Sequence, residues 1–211
     1  RIHAAQLSHT GPKDINEDAM ALQLPQAHGV SSYTAVAAIA DGLSSAEGGR
    51  IAAETSVTNF INDFSATPSS WSVKTAGLKV LAALNRWLHG QGQHYHHHHQ
   101  GCLTTFTALI IRGNTAHVFH VGDSRIYRIR DHEIELLTHD HRVWLSSREH
   151  YLSRALGADY RIEIDYRNIE LKEKDIFLDG QTPVSFRRLS NQLSEVRDQQ
   201  AIIQRQKSDL N

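Results

Sequence analysis

The spacing of hydrophobic residues in the first third of the chain predicts a buried strand followed by a helix. Residues 33–40 (YTAVAAIA) form a short apolar run that ends at Asp41–Gly42, as a buried strand does. From Ala46 the apolar residues take the i, i+4, i+7, i+8, i+11 spacing of an amphipathic helix. This stripe consists of Ala53, Val57, Phe60, Ile61 and Phe64.

A second helix is predicted to begin near Ser70 and to end at Gly90, because glycine commonly stops a helix. Its apolar stripe consists of Val80, Leu84, Trp87 and Leu88. We expect these side chains, including the indole ring, to lie in the core rather than to bind a cofactor.

The pattern becomes strand-like after residue 100. Four short, β-rich segments span residues 103–111, 115–121, 125–130 and 133–137. Gly-Asn, Gly-Asp and Asp-His pairs separate these segments. Such short connections predict an antiparallel meander, because parallel strands need long crossovers.

The last third of the chain contains both helical and strand-like spacing of hydrophobic residues. Residues 151–157 predict a short helix, residues 161–171 alternate as a strand does, and residues 186–211 predict a polar helix. The apolar face of the alternating segment carries Ile162, Ile164 and Tyr166. Helices and antiparallel strands in blocks, without an internal repeat, predict a single layered α+β domain over residues 1–211.

The charges of the chain nearly balance. Lys and Arg total 22 against 23 Asp and Glu, so the net charge of -1 provides no basic field for nucleic acid or an anionic membrane. No segment approaches the roughly 20 apolar residues of a membrane span, and no charged-then-apolar leader precedes the first strand. We therefore expect neither membrane insertion nor a signal peptide in this segment. The single cysteine, Cys102, permits no intrachain disulfide and favours a reducing, cytoplasmic setting.

Histidine is frequent, with 15 residues, and His96–His99 form an uninterrupted run. An exposed run of this kind can chelate transition metals, which leaves open a transition-metal-binding protein as one functional class. The alternative is a solvated loop between the second helix and the next strand.

Acidic residues recur at the predicted turns. They are Glu17–Asp18, Asp41–Gly42, Gly122–Asp123 and Asp179–Gly180. An aspartate between a strand and a glycine can reach a bound ion, although each Asp-Gly pair taken alone is also an ordinary turn. Several acids at strand ends, with no Cys/His quartet, favour a hard cation with oxygen ligands, Mg²⁺ or Mn²⁺.

Five segments in this order resemble one known family. They are residues 11–18 (GPKDINED), Asp41–Gly42 with Gly48–Gly49, residues 101–105 (GCLTT), residues 121–127 with 137–141 (VGDSRIY and LTHDH), and residues 152–157 (LSRALG). The match runs from about residue 11 to residue 180 and is to the metal-dependent protein serine/threonine phosphatases of the PP2C (PPM) family, bacterial type. The resemblance implies an α+β fold, a four-layer α-β-β-α sandwich in which helices flank two antiparallel sheets.

The resemblance also implies how the acids work. Phosphoserine or phosphothreonine is hydrolysed by a water that bridges two Mn²⁺ or Mg²⁺ ions. Asp41 is then the bridging ligand, and the Gly42 carbonyl binds one ion. Asp18 and Glu17 act through metal-bound waters, which makes Asp41 and Asp18 the catalytic candidates. Asp123 matches an acid that the family uses around a third, weaker ion.

Two positions near the expected phosphate site differ from common family residues. Lys13 stands where the family often has an arginine, so it would bind the substrate phosphate as a point charge, without bidentate geometry. Leu43 occupies the position of a histidine proposed as general acid in some members. The proton for the leaving group would then come from water.

The C-terminal side departs from the family pattern, so the portion from about residue 180 to 211 is divergent or incomplete. Residues 175–180 (DIFLDG) are three positions shorter than the family strand that ends in a ligating Asp-Gly. Asp179 is therefore either the ligand on a truncated strand or part of a later turn, with the true ligand segment missing. Asp209 is the candidate for the last family ligand, and it lies out of pattern at the terminus.

The function that the resemblance implies is a cytoplasmic phosphoprotein phosphatase acting on a phosphorylated protein substrate. By analogy its partner is a serine/threonine kinase, which can belong to the same full-length polypeptide. The gaps on the C-terminal side leave an alternative open. It is a catalytically inactive module that binds phosphoproteins or regulates a kinase.

Overall fold

The computed structural model describes six parts of the chain. These are residues 2–10, 14–25, 34–43, 47–94, 101–144 and 150–180. The chain divides into two units, residues 1–181 and residues 182–211, and every element named below lies in the first unit. The polar helix expected at 186–211 and the run His96–His99 lie outside the described residues.

Two helices and ten strands form in the described residues. The helices are α1 (Glu47–Ser65) and α2 (Val73–His94). The strands are β1 (Asp18–Gln23), β2 (Thr34–Asp41), β3 (Phe106–Arg112), β4 (Thr115–Val121), β5 (Arg125–Arg130), β6 (Glu133–Leu136), β7 (Arg142–Trp144), β8 (His150–Leu152), β9 (Asp165–Glu170) and β10 (Ile176–Gly180). The predicted buried strand and the helix that follows it are thereby confirmed.

Five strands form one antiparallel sheet in the order β1-β2-β3-β4-β9. A smaller antiparallel sheet has the order β10-β5-β6, and β7 pairs with β8 as a two-stranded ribbon. The central strand β3 is apolar on both faces, and its first five residues are all buried. A strand of this kind has to be covered on both sides of its sheet.

The predicted meander is wrong at one connection. β3 pairs with β4 and β5 pairs with β6, but β4 and β5 lie in different sheets. The turn at Gly122–Asp123 therefore carries the chain from one sheet to the other. Gly122 has a φ of 108°, and a Cβ atom there would lie 2.7 Å from the Thr105 side chain, so glycine is required.

Both helices pack against the five-stranded sheet through one hydrophobic core. The predicted stripe of α1 is confirmed, because all five of its residues are buried. Near the centre, the ring centroid of Phe60 lies 5.0 Å from that of Phe106 and 6.3 Å from that of Phe119. Among the described residues, neither α1 nor α2 combines the length and the apolar character that a membrane-crossing helix needs.

The prediction for α2 is wrong in two details. The helix continues past Gly90 to His94, and within the described ranges no atom outside the helix's own neighbouring backbone comes within 4 Å of the position of a Cβ atom at Gly90. Trp87 is 45% exposed rather than buried in the core. The other three residues of the predicted stripe, Val80, Leu84 and Leu88, are buried in the core, and Leu81 joins them.

A second hydrophobic cluster joins the two sheets. Its buried members are Leu109, Ala116, Val118, Ile126 and Leu137. The described residues therefore form three layers, namely the helices, the large sheet and the small sheet. These agree with three layers of the expected four-layer sandwich, and the second helical layer has no counterpart among the described residues.

The predicted short helix at residues 151–157 is wrong. The chain completes β8 there and then turns at Gly157, whose φ is 88°. The N–H of Thr104 donates to the Leu156 carbonyl at 3.2 Å, and the N–H of Leu156 donates to the Thr104 carbonyl at 2.9 Å. These backbone groups are thus used in a bridge between segments and cannot form a helical ladder.

One face of the segment 161–171 is confirmed. The expected apolar side chains, Ile162, Ile164 and Tyr166, all pack against the main core. The strand itself is shorter than predicted, because β9 begins only at Asp165.

We expect Gly77→Ala to destabilise the fold. A Cβ atom at Gly77 would lie 2.3 Å from the ring of Phe119, which is fully buried and has no room to withdraw. The overpacking is expected to lower the free energy of unfolding by about 1–3 kcal/mol, measured by urea denaturation.

Gly90→Ala is the matched control in the same helix. Because an added Cβ atom has no neighbour within 4 Å among the residues that the structure describes, the better helix propensity of alanine should raise the free energy of unfolding by about 0.5–1 kcal/mol. Equal effects of the two substitutions would contradict the packing of α2 on β4.

Candidate metal centre

Two candidate metal ligands lie directly opposite each other in the large sheet. β1 begins at Asp18 and β2 ends at Asp41, and the antiparallel register pairs these two residues. Side chains in such positions have Cβ atoms roughly 5 Å apart. Two carboxylates at that spacing repel each other, and a cation bound to both removes the repulsion.

The pairing continues one residue further on each strand. The N–H of Gly42 donates to the carbonyl of Glu17 at 3.1 Å. At the other side of Gly42, a Cβ atom would lie only 2.3–2.7 Å from backbone atoms of Gly49 in the first turn of α1. Because Gly42 has no side chain, the helix start can approach this turn, and the Asp41–Gly42 backbone lies at the junction of sheet and helix.

Two buried threonines fix the backbone of Asp41. The N–H of Asp41 donates to Thr105 Oγ1 at 3.0 Å, and its carbonyl accepts the Thr105 N–H and the Thr104 hydroxyl, both at 2.9 Å. Thr105 Oγ1 also lies 2.9 Å from the Ser124 hydroxyl. The sequence pointed to residues 101–105 only through the family resemblance. The available signal was polar side chains at the entry of a strand that is otherwise apolar.

Asp123 lies in the turn between the two sheets and is held by an arginine. Arg142, at the start of β7, donates from Nε at 2.8 Å and from Nη2 at 2.5 Å to the same carboxylate oxygen, Oδ2. With this arginine bound, the side chain of Asp123 is still 20% exposed. No sequence pattern indicates Arg142, because it lies 19 residues after Asp123 and only the folded chain brings the two together.

Asp179 is a strand residue, so the alternative that it belongs to a later turn is wrong. It pairs with Ile126 in the register of β10 on β5, three residues from the position of Asp123. Both of its carboxylate oxygens are shielded from solvent and lack a hydrogen-bond partner of good geometry in the described part of the chain. Burial raises the pKa of Asp179 to about 8, and the Gly180 backbone N–H opposes that effect only in part.

The structure brings together some of the predicted site residues and not others. Asp18, Asp41 and Gly42 meet at one edge of the large sheet. Within the described ranges, the His, Cys, Asp and Glu side chains form no group of three or more that could hold a metal ion, so neither Asp123 nor Asp179 completes such a group with this pair. Lys13 and Asp209 lie outside the described residues.

The donor set at this edge fits a hard divalent cation. Carboxylate oxygens at Asp18 and Asp41 and a backbone carbonyl at Gly42 are the ligand types that Mg²⁺ and Mn²⁺ prefer. The missing Cβ of Gly42 makes room for the backbone of Gly49, which brings the start of α1 next to this edge. The described residues therefore provide one side of a metal site.

A cluster of polar side chains lies next to the Gly122–Asp123 turn, with two buried histidines, His120 and His141, and a half-exposed aspartate, Asp165. His141 Nε2 lies 3.1 Å from Asp165 Oδ2, and Arg154 donates to Asp165 Oδ1 at 3.0 Å. The His120 ring lies 4.8 Å from the His141 ring, centroid to centroid. Burial, and secondarily the nearby His141, lower the pKa of His120 to about 4. His120 is thus neutral in the folded protein at physiological pH.

Comparison with known proteins adds independent findings. The family model described as Protein phosphatase 2C matches residues 5–164. No curated protein sequence matches the chain. Among solved structures, the S. agalactiae serine/threonine phosphatase is similar, with 25% identity, a TM-score of 0.68, and coverage of 78% of this chain and 72% of that one.

Two further solved structures show the same fold. PppA, a key regulatory component of T6SS in Pseudomonas aeruginosa, has 24% identity and a TM-score of 0.63, over 81% of this chain and 72% of its own. The Mycobacterium tuberculosis serine/threonine phosphatase PstP/Ppp has 21% identity and a TM-score of 0.64, over 79% and 72%. The expected layered fold is therefore confirmed.

The lowered pKa of His120 predicts a pH dependence of stability. Since the unfolded chain binds a proton near the ordinary value of 6.5 and the folded chain only near 4, the free energy of unfolding falls as the pH is lowered through this window. The slope from this group is at most about 1.4 kcal/mol per pH unit. Urea unfolding of the wild type and of His120→Gln, at several pH values, measures it.

The informative quantity is the difference in the free energy of unfolding between the wild type and His120→Gln at each pH. Asp179 acts in the opposite sense, because its raised pKa lowers stability as the pH rises from 3.8 to about 8. His120→Gln keeps a donor for the His139 carbonyl, which lies 3.0 Å from Nε2, but does not titrate. Identical pH profiles for wild type and variant would contradict the assignment to His120.

Proposed function

Because the chain belongs to the protein phosphatase 2C family, we propose that it hydrolyses phosphoserine and phosphothreonine in proteins with Mn²⁺ or Mg²⁺ held at Asp18, Asp41 and Gly42. Phosphoprotein phosphatase activity follows from the family and from the serine/threonine phosphatases of similar structure. The metal assignment rests on one observation, the register that sets Asp18 opposite Asp41 beside a glycine without space for a side chain.

Each residue has a distinct task in this proposal. Asp41 and Asp18 are the catalytic residues: Asp41 supplies a carboxylate oxygen and Gly42 a carbonyl oxygen to the metal, whereas Asp18 acts through metal-bound water. Bound divalent cations supply a water of lowered pKa as nucleophile and neutralise charge on the phosphoryl oxygens. The hydrogen bond that the Asp41 N–H donates to Thr105 and the one that its carbonyl accepts from Thr104 would keep the Asp41 backbone fixed.

The substrate phosphate is bound on the N-terminal side of the site. Lys13 supplies a positive charge to the phosphoryl oxygens as a point donor. Leu43 carries no titratable group, so the proton for the leaving hydroxyl comes from water. Glu17 acts through water on the metal rather than as a direct ligand.

Two ions are proposed, with a third, weaker ion at Asp123. A cation there has to compete with Arg142, whose guanidinium group is bound to Asp123 Oδ2. On the C-terminal side, Asp179 and Asp209 remain the proposed sources of a further carboxylate, and the buried Asp179 would have to become accessible to serve.

The proposed partners follow from the reaction. The substrate is a phosphorylated protein, and a serine/threonine kinase must produce it, either as a separate protein or in the same full-length polypeptide. A cytoplasmic location is proposed, supported by the unpaired, buried Cys102.

We expect Asp41→Asn to abolish metal-dependent turnover while leaving the fold intact. An amide is a poorer ligand for a hard cation than a carboxylate, and the backbone contacts of position 41 do not involve the side chain. Turnover of a phosphothreonine peptide with Mn²⁺ should fall by at least about 100-fold, and calorimetry should show weaker Mn²⁺ binding.

Asp63→Asn, at an exposed position of α1, is the matched control and should behave as the wild type. Equal turnover in Asp41→Asn and wild type, or none in either, would refute the proposal. The alternative of an inactive phosphoprotein-binding module predicts that the wild type binds the phosphopeptide without hydrolysing it.

A further inference from the structure

We propose that Asp140, His141 and Arg142 form a positioning clamp that fixes the Gly122–Asp123 turn and, through it, the backbone of Asp41. The clamp residues are not metal ligands in the proposed function, although Arg142 binds Asp123, and their effect on turnover rests on that proposed function. Its three consecutive residues contact three positions of the segment 122–125 that carries the chain from the large sheet to the small one.

The central contact is a pair of hydrogen bonds between His141 and Gly122. The backbone N–H of His141 donates to the Gly122 carbonyl at 2.8 Å. The N–H of Gly122 donates to the ring atom Nδ1 of His141 at 3.0 Å. Both polar groups of a buried glycine are thus satisfied by one residue, and the loss of either partner would leave a buried group unpaired.

The two outer contacts are ion pairs on either side of this centre. Asp140 accepts from Arg125 Nε at 2.8 Å and from Nη2 at 2.6 Å, a bidentate arrangement. This arginine lowers the pKa of Asp140, so the carboxylate remains charged. Arg142 binds Asp123 and also lies 3.6 Å from Asp140. The two pairs therefore restrain the turn at both ends.

The ring of His141 is held in one orientation. Because Nδ1 accepts the Gly122 N–H, the proton of the neutral ring is on Nε2, which faces Asp165 Oδ2 at 3.1 Å. Asp165 is in turn held by Arg154. A carboxylate behind a histidine fixes both its tautomer and its direction, as second-layer partners do around metal sites.

A short chain of hydrogen bonds leads from the turn to Asp41. Ser124, next to Asp123 in the turn, lies with its hydroxyl 2.9 Å from Thr105 Oγ1, and the same Oγ1 accepts the N–H of Asp41 at 3.0 Å. The Thr105 side chain also blocks any Cβ atom at Gly122. Movement of the turn is therefore transmitted to the backbone of Asp41 through one threonine.

The test is a pair of substitutions that separates the two ring contacts of His141. In His141→Asn, the side-chain oxygen takes the place of Nδ1 and can still accept the Gly122 N–H. In His141→Gln, the longer amide reaches toward Asp165 but leaves the Gly122 N–H without an acceptor. Both variants remove the imidazole, so lost packing alone affects them similarly.

Turnover with Mn²⁺ and p-nitrophenyl phosphate should distinguish the two variants. We expect kcat of His141→Gln to fall about 10- to 100-fold with little change in KM, and His141→Asn to retain most of the wild-type kcat. Equal losses in both variants, or a greater loss in His141→Asn, would overturn the proposal.

A second measurement does not depend on activity. In the metal-free protein, hydrogen exchange at the Gly122 amide, followed by NMR, should be faster in His141→Gln and unchanged in His141→Asn. If the wild type shows no turnover, the proposed function fails. The hydrogen exchange of the Gly122 amide still tests whether the clamp holds the turn. Slow exchange at Gly122 in both variants would refute it.

Ser124→Ala provides a further variant in case His141→Gln does not fold. It removes the hydroxyl that links the turn to Thr105 and leaves every contact of the clamp itself in place. It is expected to lower kcat in the same range without raising KM. A Ser124→Ala protein with the wild-type kcat would show that the path to Asp41 does not operate.

Discussion

The structure depends on the close approach of the Gly122 turn to Thr105, where the chain passes from the large sheet to the small one. A turn that needs a positive φ and leaves no room for a Cβ atom can adopt few other backbone conformations. The position of one sheet therefore fixes that of the other. The apolar cluster between the sheets then supplies the stabilisation. Because Thr105 also binds Asp41, the same contact that joins the sheets shapes the candidate metal centre.

Most of the fold could be predicted from the sequence, because alternation and helical spacing report which side of an element is buried. The stripe of α1 and the strand ending at Asp41 are examples. Local pattern does not report which strands become neighbours, so the separation of β4 from β5 was missed. Nor does it report exposure at the edge of a stripe, as at Trp87, or backbone bonds to a distant segment, as at Leu156.

The same holds for the candidate site: the sequence indicates single residues, but not the contacts between residues far apart in the chain. Acids at strand ends identified Asp18 and Asp41, but only the register places them opposite each other. The pairing of Arg142 with Asp123 and the burial of Asp179 depend on how separate strands come together, and no spacing along the chain encodes them. The resemblance to a family supplied roles for residues, whereas the structure supplied their neighbours.

The contact between Gly42 and Gly49 affects how substitutions at the site can be interpreted. In the proposed function the Gly42 carbonyl is a metal ligand, which no change of side chain can replace, and any added side chain would also push the start of α1 away from the sheet. Position 42 is therefore constrained twice, once by chemistry and once by shape. The identity of that glycine would be retained even in a descendant that had lost its metal, so it records the architecture of the protein rather than its activity.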